Sequence, residues 1–300
     1  MVEFNTVFNM MTKIIDGKQI ANKIKEEIRG KTAILYKERG IRPGLAILLV
    51  GNDPASESYV RSKERNSDNM DFHFIMERRD ADIPEEDVLT LIKSWNRDDE
   101  IHGILIQLPL PKHIDENKVL MAIDPNKDVD GFHPINLGRL VVGLDGMVPC
   151  TPAGIVELLK RSDIETKGKH VVVLGRSNIV GKPVANLLYQ KKEGANSIVT
   201  ICHSAAEDVF QYTKQADILI VAIGRANFIK EEHIKVGCTI IDVGINRVDA
   251  DNEKGYVIVG DVDFNEVLGK ASAITPVPGG VGPMTIAMLM SNTYKSAAMK

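Results

Sequence analysis

The stretch VVVLGRSNIVGKPVA, residues 171–185, decides the fold of this chain. The apolar run Val171–Leu174 passes straight into a glycine turn and then into a segment compatible with a helix. A short continuous apolar run bounded by a turn reads as a buried parallel strand. A glycine turn between such a strand and a helix presents backbone N–H groups at the positive end of the helix dipole, which suits a phosphate. A nucleotide cofactor is therefore expected, and with it an enzyme. The spacing runs from Gly175 through Arg176 and Ser177 to Gly181, with Ser177 where the G-x-G-x-x-G fingerprint has its second glycine. Arg176 in the loop, and Pro183 early in the helix where its missing N–H costs little, favour the cofactor reading over that of a bare tight turn.

Downstream of this stretch the pattern alternates. Strands are expected over 171–175, 198–202, 217–223 and 238–243, with helices over 181–191, 206–214 and 231–235. Such alternation implies a parallel sheet with crossover helices. Upstream, Pro149-Cys150-Thr151-Pro152 breaks the chain. Thr151 reads as a helix cap with Pro152 at the first helical position, and the domain boundary is placed here. Before it the pattern gives a helix over 14–36 capped by Asp16 and strands over 45–50 and 101–107. Helices over 56–70 and 114–123 and a polar loop over 124–136 complete this part. After the Pro/Gly-rich run AITPVPGGVGPMT (273–285) a last helix is expected over 284–297. The expected organisation is α/β with two domains, 12–150 plus 283–300 and 151–282. Residues 1–11 are expected to form a disordered extension.

Three hundred residues, 44% hydrophobic and 26% charged, describe a globular chain with ample core. A net charge of −4 argues against a dominant nucleic-acid or anionic-membrane surface. No apolar run reaches the length of a membrane span, and the first ten residues lack the basic start and apolar core of a signal peptide. Cys150, Cys202 and Cys238 are widely separated, which argues for free thiols in a reducing compartment, the cytoplasm. The seven histidines show no H-x-x-H or H-E-x-x-H pairing, and no metal is expected.

Tyr59 and Lys63 are four residues apart, so they share one face of the 56–70 helix. That helix starts at the carboxyl end of the first buried strand, where open α/β sheets collect ligands. The second strand ends at Gln107 on the same edge, and Asp128 and Asp130 follow in a polar loop. Each has a bland reading: a solvated lysine, a tyrosine sealing the core edge, an amide capping the sheet, a turn aspartate. Their arrangement at successive strand ends points to a site.

Six ordered motifs now coincide. They are VGNDPASESYVRSK (50–63), HGILIQLPLP (102–111), KDVDGF (127–132), PCTP (149–152), GRSNIVGKP (175–183) and TPVPGGVGPMT (275–285). Together they resemble the bifunctional methylenetetrahydrofolate dehydrogenase/methenyltetrahydrofolate cyclohydrolase family, from about Ile14 to the last helix. The resemblance implies an N-terminal folate-binding α/β domain to which the last helix returns, a C-terminal Rossmann domain, and a cleft holding folate and NADP. It also implies a homodimer and a place in one-carbon metabolism and purine biosynthesis. By resemblance Lys63 is the general acid/base, Gln107 orients it, Tyr59 stacks on the substrate and Asp130 accepts from the pterin edge. Pro278, Gly279 and Gly280 let backbone approach the folate. Gly175, Arg176, Ser177, Gly181, His203, Ser204 and Ile245 carry the cofactor.

Lys63 is expected to be substantially neutral in the complex, since an ammonium beside a cationic product would repel it. The second Rossmann strand ends Cys202-His203-Ser204 without a carboxylate to repel a 2′-phosphate, so NADP is favoured over NAD. The chain departs from the family pattern in Ala205-Ala206, where a Lys/Arg-Thr pair often stands, in Asn66 and Met70-Asp71, and in the long segment 190–197. Two alternatives stay open: a monofunctional NAD-dependent methylenetetrahydrofolate dehydrogenase, and a cofactor-binding module without catalysis.

Overall fold

The computed structural model describes residues 11–300. The extension expected over 1–11 thus lies outside the described residues, apart from Met11, whose side chain is exposed. In chain order the first elements are β1 (Lys13–Ile14), α1 (Gly17–Arg39), β2 (Gly44–Val50), α2 (Pro54–Asp68), β3 (His73–Arg79), α3 (Glu85–Arg97), β4 (Gly103–Ile106), α4 (Glu116–Ala122), α5 (Pro134–Val142) and α6 (Cys150–Arg161). There follow β5 (His170–Leu174), α7 (Gly181–Leu188), β6 (Ile198–Cys202), α8 (Phe210–Thr213), β7 (Ile218–Val221), a 3-10 turn (Glu231–His233), β8 (Thr239–Asp242), β9 (Asn246–Asp249), β10 (Tyr256–Val259), α9 (Phe264–Val267), β11 (Ala273–Ile274) and α10 (Val281–Met299).

The chain divides into two compact units. One comprises Gln19–Gly154 with Met284–Lys300, so the last helix joins the first half of the sequence. Its sheet has the order β3-β2-β4, all parallel, with Leu45 opposite both Phe74 and Gly103. Every residue of β2 and β4 is buried, which is why both read as unbroken apolar runs. The chain leaves β2 towards β3 on one side and returns to β4 on the other. The gap between the carboxyl ends of β2 and β4 is therefore a topological switch point. Helix α3 buries Val88, Ile92 and Trp95 at helical spacing, and its first turn carries Glu85, Glu86 and Asp87, which complement the helix dipole.

The other unit comprises Ile155–Pro283 with the described residues up to Lys18. Its six-stranded sheet has the order β1-β11-β8-β7-β5-β6, and every pairing is parallel. Strands β7 and β8 are buried throughout, and Val171–Leu174 of β5 with them. Strand β6 lies to one side of β5 and β7 to the other, so a second switch point falls between β5 and β7. Strands β9 and β10 pair as an antiparallel hairpin outside this sheet.

Several expected elements shift. Gly175 is not part of β5: its φ of 138° belongs to the turn. Helix α6 begins at Cys150, which puts Thr151 and Pro152 inside the first turn, with the Thr151 hydroxyl 3.0 Å from that of Thr285. The loop expected over 124–136 already turns helical at Pro134, where His133 Nδ1 accepts the Ile135 N–H at 3.1 Å. A histidine cap of this kind is not a usual cap residue. Helix α7 stops at Leu188, and the segment expected as helix 206–214 contracts to α8. The two-residue strands β1 and β11 have too few residues to show a period.

Candidate active site

Helix α2 leaves the carboxyl end of β2 and carries Tyr59 and Lys63 on one face, with the Lys63 ammonium nitrogen 5.6 Å from the Tyr59 ring centroid. Tyr59 is exposed at its rim while Lys63 is buried. Lys63 Nζ donates to Gln107 Oε1 at 2.9 Å, and Gln107 Nε2 donates to the Leu108 carbonyl at 2.9 Å. Gln107 follows β4, so the two residues meet at the switch point.

Asp130 is brought in by backbone pairing. Ile104 of β4 donates to the Lys127 carbonyl at 2.8 Å and bridges to Asp128, laying KDVDG alongside the sheet. Asp128 is buried and accepts from the N–H groups of Gly131 and His133 and from Asn136 Nδ2, at 3.1, 2.8 and 2.9 Å. It therefore builds the loop that presents Asp130. Gly131, at φ 77°, lies so close to the PCTP run that a Cβ would sit 2.5 Å from Pro149 N. This contact brings in Cys150, whose buried thiol donates to the Val129 carbonyl at 3.3 Å and lies beside the Asp130 carboxylate. Asn292 of α10 donates to the carbonyls of Val129 and Val148, at 2.8 and 2.9 Å, tying both loops to the last helix.

The electrostatics follow from burial. Desolvation pulls the Lys63 amine below its ordinary value, opposed by the negative charge of Asp130 and by Cys150. Desolvation pushes the Asp130 carboxyl up to about 6, against the pull of Lys63. The Tyr59 phenol is raised by burial and by Asp130, and the Cys150 thiol is raised well above the usual range by burial. The site thus holds an amine whose charged form burial disfavours, an amide that fixes its position, and a carboxyl pushed up to about 6.

The other expected residues gather in the second unit. Gly175, Arg176, His203 and Ser204 line a cavity of about 260 Å³ at the switch point between β5 and β7, together with Arg225 and Phe228. Ser177 Oγ accepts the N–H groups of Val180 and Gly181, at 3.1 and 3.3 Å, and so caps α7. The loop fits a pyrophosphate: a Cβ on Gly175 would collide with the Ala222 carbonyl oxygen, and one on Gly181 with that of Gly175. Arg176 Nη1 lies 3.2 Å from His203 Nε2, while the Ala205 N–H donates to His203 Nδ1 at 3.2 Å. A neutral imidazole offers one in-plane lone pair and cannot accept from both. Two donors therefore face one another across His203, an arrangement that an anion resolves. Ile245 groups instead with Pro278, Gly279 and Gly280, around a cavity of about 180 Å³.

Sequence reasoning missed Cys150 and Asn292 as neighbours of the Lys63 cluster, and Arg225 as part of the cavity beside Arg176. The PCTP run was legible, but as a chain break. Asn292 lies on a helix whose pattern signals only packing.

Comparison with known proteins agrees with this geometry. The family model "Tetrahydrofolate dehydrogenase/cyclohydrolase, catalytic domain" matches residues 15–130, and its companion "NAD(P)-binding domain" matches residues 149–300. The chain belongs to the tetrahydrofolate dehydrogenase/cyclohydrolase family. It is 54% identical over 288 residues to the Bifunctional protein FolD of Bacillus pumilus, covering 96% of this chain and 98% of the relative. It is 56% identical over 286 residues to that of Chlorobium chlorochromatii, covering 94% and 97%. Among solved structures, the bifunctional enzyme FolD of Campylobacter jejuni superposes with a TM-score of 0.90 at 48% identity, covering 96% of this chain and 99% of that one. The methylenetetrahydrofolate dehydrogenase-cyclohydrolase of Trypanosoma brucei, complexed with NADP and an inhibitor, gives a TM-score of 0.90 at 37% identity, covering 96% and 98%. Members of this family that match so closely over both domains are similar to this chain in its Lys63 unit and its nucleotide unit alike.

Proposed function

We propose that this tetrahydrofolate dehydrogenase/cyclohydrolase oxidises 5,10-methylenetetrahydrofolate to the methenyl cation with NADP and hydrates that cation to 10-formyltetrahydrofolate, with Lys63 moving the protons. NADP, when bound, supplies the hydride acceptor. Oxidation removes hydride from a carbon flanked by two nitrogens and leaves a delocalised cation, so the protein's part in that step is positioning. Hydration needs a base. Neutral Lys63 takes a proton from the attacking water and returns one to the ring nitrogen as the carbinolamine opens, and one proton leaves to solvent overall. Gln107, itself held by Leu108, aims the amine. Tyr59 stacks on the aminobenzoate, and Asp130 accepts from the pterin edge. Pro278, Gly279 and Gly280 offer backbone to the folate. Gly175, Arg176, Ser177, Gly181, His203 and Ser204 hold the nucleotide, with Ile245 contributing from the cavity it shares with Gly279 and Gly280.

The observation that carries this reading is a buried lysine with a lowered pKa, fixed 2.9 Å from an amide oxygen. A cofactor-binding relic has no use for such an amine. The functional domains are 12–150 plus 283–300 and 151–282, although the described residues up to Lys18, with strand β1, belong structurally to the nucleotide unit. The chain works as a homodimer in the cytoplasm. The unpaired edge strand β6, with Ile198 and Ile201 exposed, supports self-association, and three buried free thiols fit a reducing compartment.

The test is the absorbance of purified protein with 5,10-methylenetetrahydrofolate and either NADP or NAD, before and after acidification. Reduced cofactor with NADP, together with methenyl absorbance generated by acid from accumulated formyl product, is the expected result. Reduction with NAD alone would overturn the cofactor assignment, and reduction with neither would overturn the dehydrogenase.

A further inference from the structure

We infer that Arg225 is a second guanidinium for the 2′-phosphate of NADP and a determinant of NADP over NAD; this rests on the NADP reading above. Arg225 follows β7, on the far side of the switch point from Arg176, and both line the same cavity. Among the described residues lining that cavity there is no carboxylate, so neither guanidinium has an acidic partner there.

The position of Arg225 is built rather than incidental. Its backbone N–H donates to Asp261 Oδ1 at 2.9 Å, and the N–H groups of Ile223 and Gly224 donate to Asp261 Oδ2 at 2.8 and 3.0 Å. Asp261 is fully buried, so the loop that carries Arg225 is clamped to the sheet edge by a carboxylate at three consecutive residues. The guanidinium lies over the Phe228 ring, 4.2 Å from its centroid. Stacking on a ring engages one face of the planar group and leaves its edge N–H donors for a second partner. A phosphate matches that fork.

The chemistry of the site asks for such a group. Ala205 and Ala206 follow His203-Ser204, so the segment after β6 supplies no lysine or arginine there. Arg176 and His203 confront one another as donors at 3.2 Å. A dianionic 2′-phosphate accepts from both, and Arg225 adds the donors that the alanines lack. A ribose hydroxyl carries no such charge and gains little from a second guanidinium.

The experiment is direct binding of NADP and of NAD, without substrate, to wild type, Arg225→Ala and Arg225→Lys, followed by tryptophan-independent calorimetry. Arg225→Ala is expected to raise the NADP dissociation constant at least tenfold while NAD changes less than twofold. Arg225→Lys, which keeps the charge and loses the fork, should fall between. Equal weakening of both cofactors, or no change in either, overturns the inference. Wild type that binds NAD as tightly as NADP overturns the NADP reading instead, and does so before any substitution is made.

Discussion

Lys63 Nζ and Gln107 Oε1 are 2.9 Å apart at the carboxyl ends of two parallel strands, and the amide is locked in turn by the Leu108 carbonyl. A neutral acceptor orients the amine without favouring its charged form as an anion would. Replacing Gln107 by Glu puts an anion at that place and favours the ammonium, by about one to three pK units. The acid limb of the cyclohydrolase pH–rate profile should then move to higher pH. At neutral pH hydration should fall roughly tenfold for each unit of the shift. A profile that keeps its position would show that Lys63 does not titrate in the rate-limiting step.

Lys63→Met keeps the length of the side chain and removes the base. Methenyl hydration should drop by about 10²–10⁴-fold, the usual contribution of a positioned general base. Reduction of NADP should survive at a larger fraction of the wild-type rate, because hydride removal asks for no proton transfer. Following both reactions on one preparation separates the two. Equal loss in both would assign Lys63 to binding.

Asp130 acts on Lys63 in the same sense as a Glu at 107 would, since its charge already holds the amine's pKa up, so removing that charge has the opposite effect. Asp130→Asn should therefore move the acid limb to lower pH. It should also change stability. The folded carboxyl is raised to about 6 from an ordinary 3.8, so the stability tied to its protonated form is complete below about pH 4 and lost as pH rises through about 6. The amide suffers no such loss. Asp130→Asn should be more stable than wild type by about 3 kcal/mol at pH 7.5, with the gap closing towards pH 4. Asp242, buried and raised to about 7, imposes a fall of the same sign on both proteins. Denaturant midpoints at a series of pH values give the comparison.

What was legible in the sequence follows a physical rule. Val171–Leu174 and Leu45–Val50 are buried on both faces, so their apolar runs are continuous and visible. The residues just after such strands, Gly175 and Gln107, lie at switch points for the same topological reason, so the sites could be read from strand ends. Spacing placed Tyr59 and Lys63 on one helix face. The rest depends on contacts far apart in the chain. Cys150 reaches Asp130 only because Gly131 lets PCTP approach KDVDG. Arg225 reaches the nucleotide cavity because β7 lies next to β5, and Asn292 meets Val129 across 163 positions. No local period encodes these. The antiparallel hairpin β9–β10 was missed because each strand has only four residues and the polar, largely exposed β9 shows no apolar period.

Asn292 supplies the last prediction. Its amide nitrogen donates to the carbonyls of Val129 and Val148, the residues next to Asp130 and Pro149. Asn292→Leu keeps the size and removes a donor from the Val148 carbonyl and from that of Val129, which keeps the Cys150 thiol, at about 1–3 kcal/mol before relaxation. The melting temperature should fall. The chemical effect should be unequal: Asp130 and Cys150 lose their common anchor, so cyclohydrolase kcat should drop severalfold and its pH profile should shift with the changed surroundings of Lys63. The NADP dissociation constant should stay within twofold, because Gly175, Arg176 and Arg225 belong to the other unit. If stability falls while the pH profile keeps its position, Asn292 is only a packing residue. If the profile moves, the last helix sets the protonation of the site.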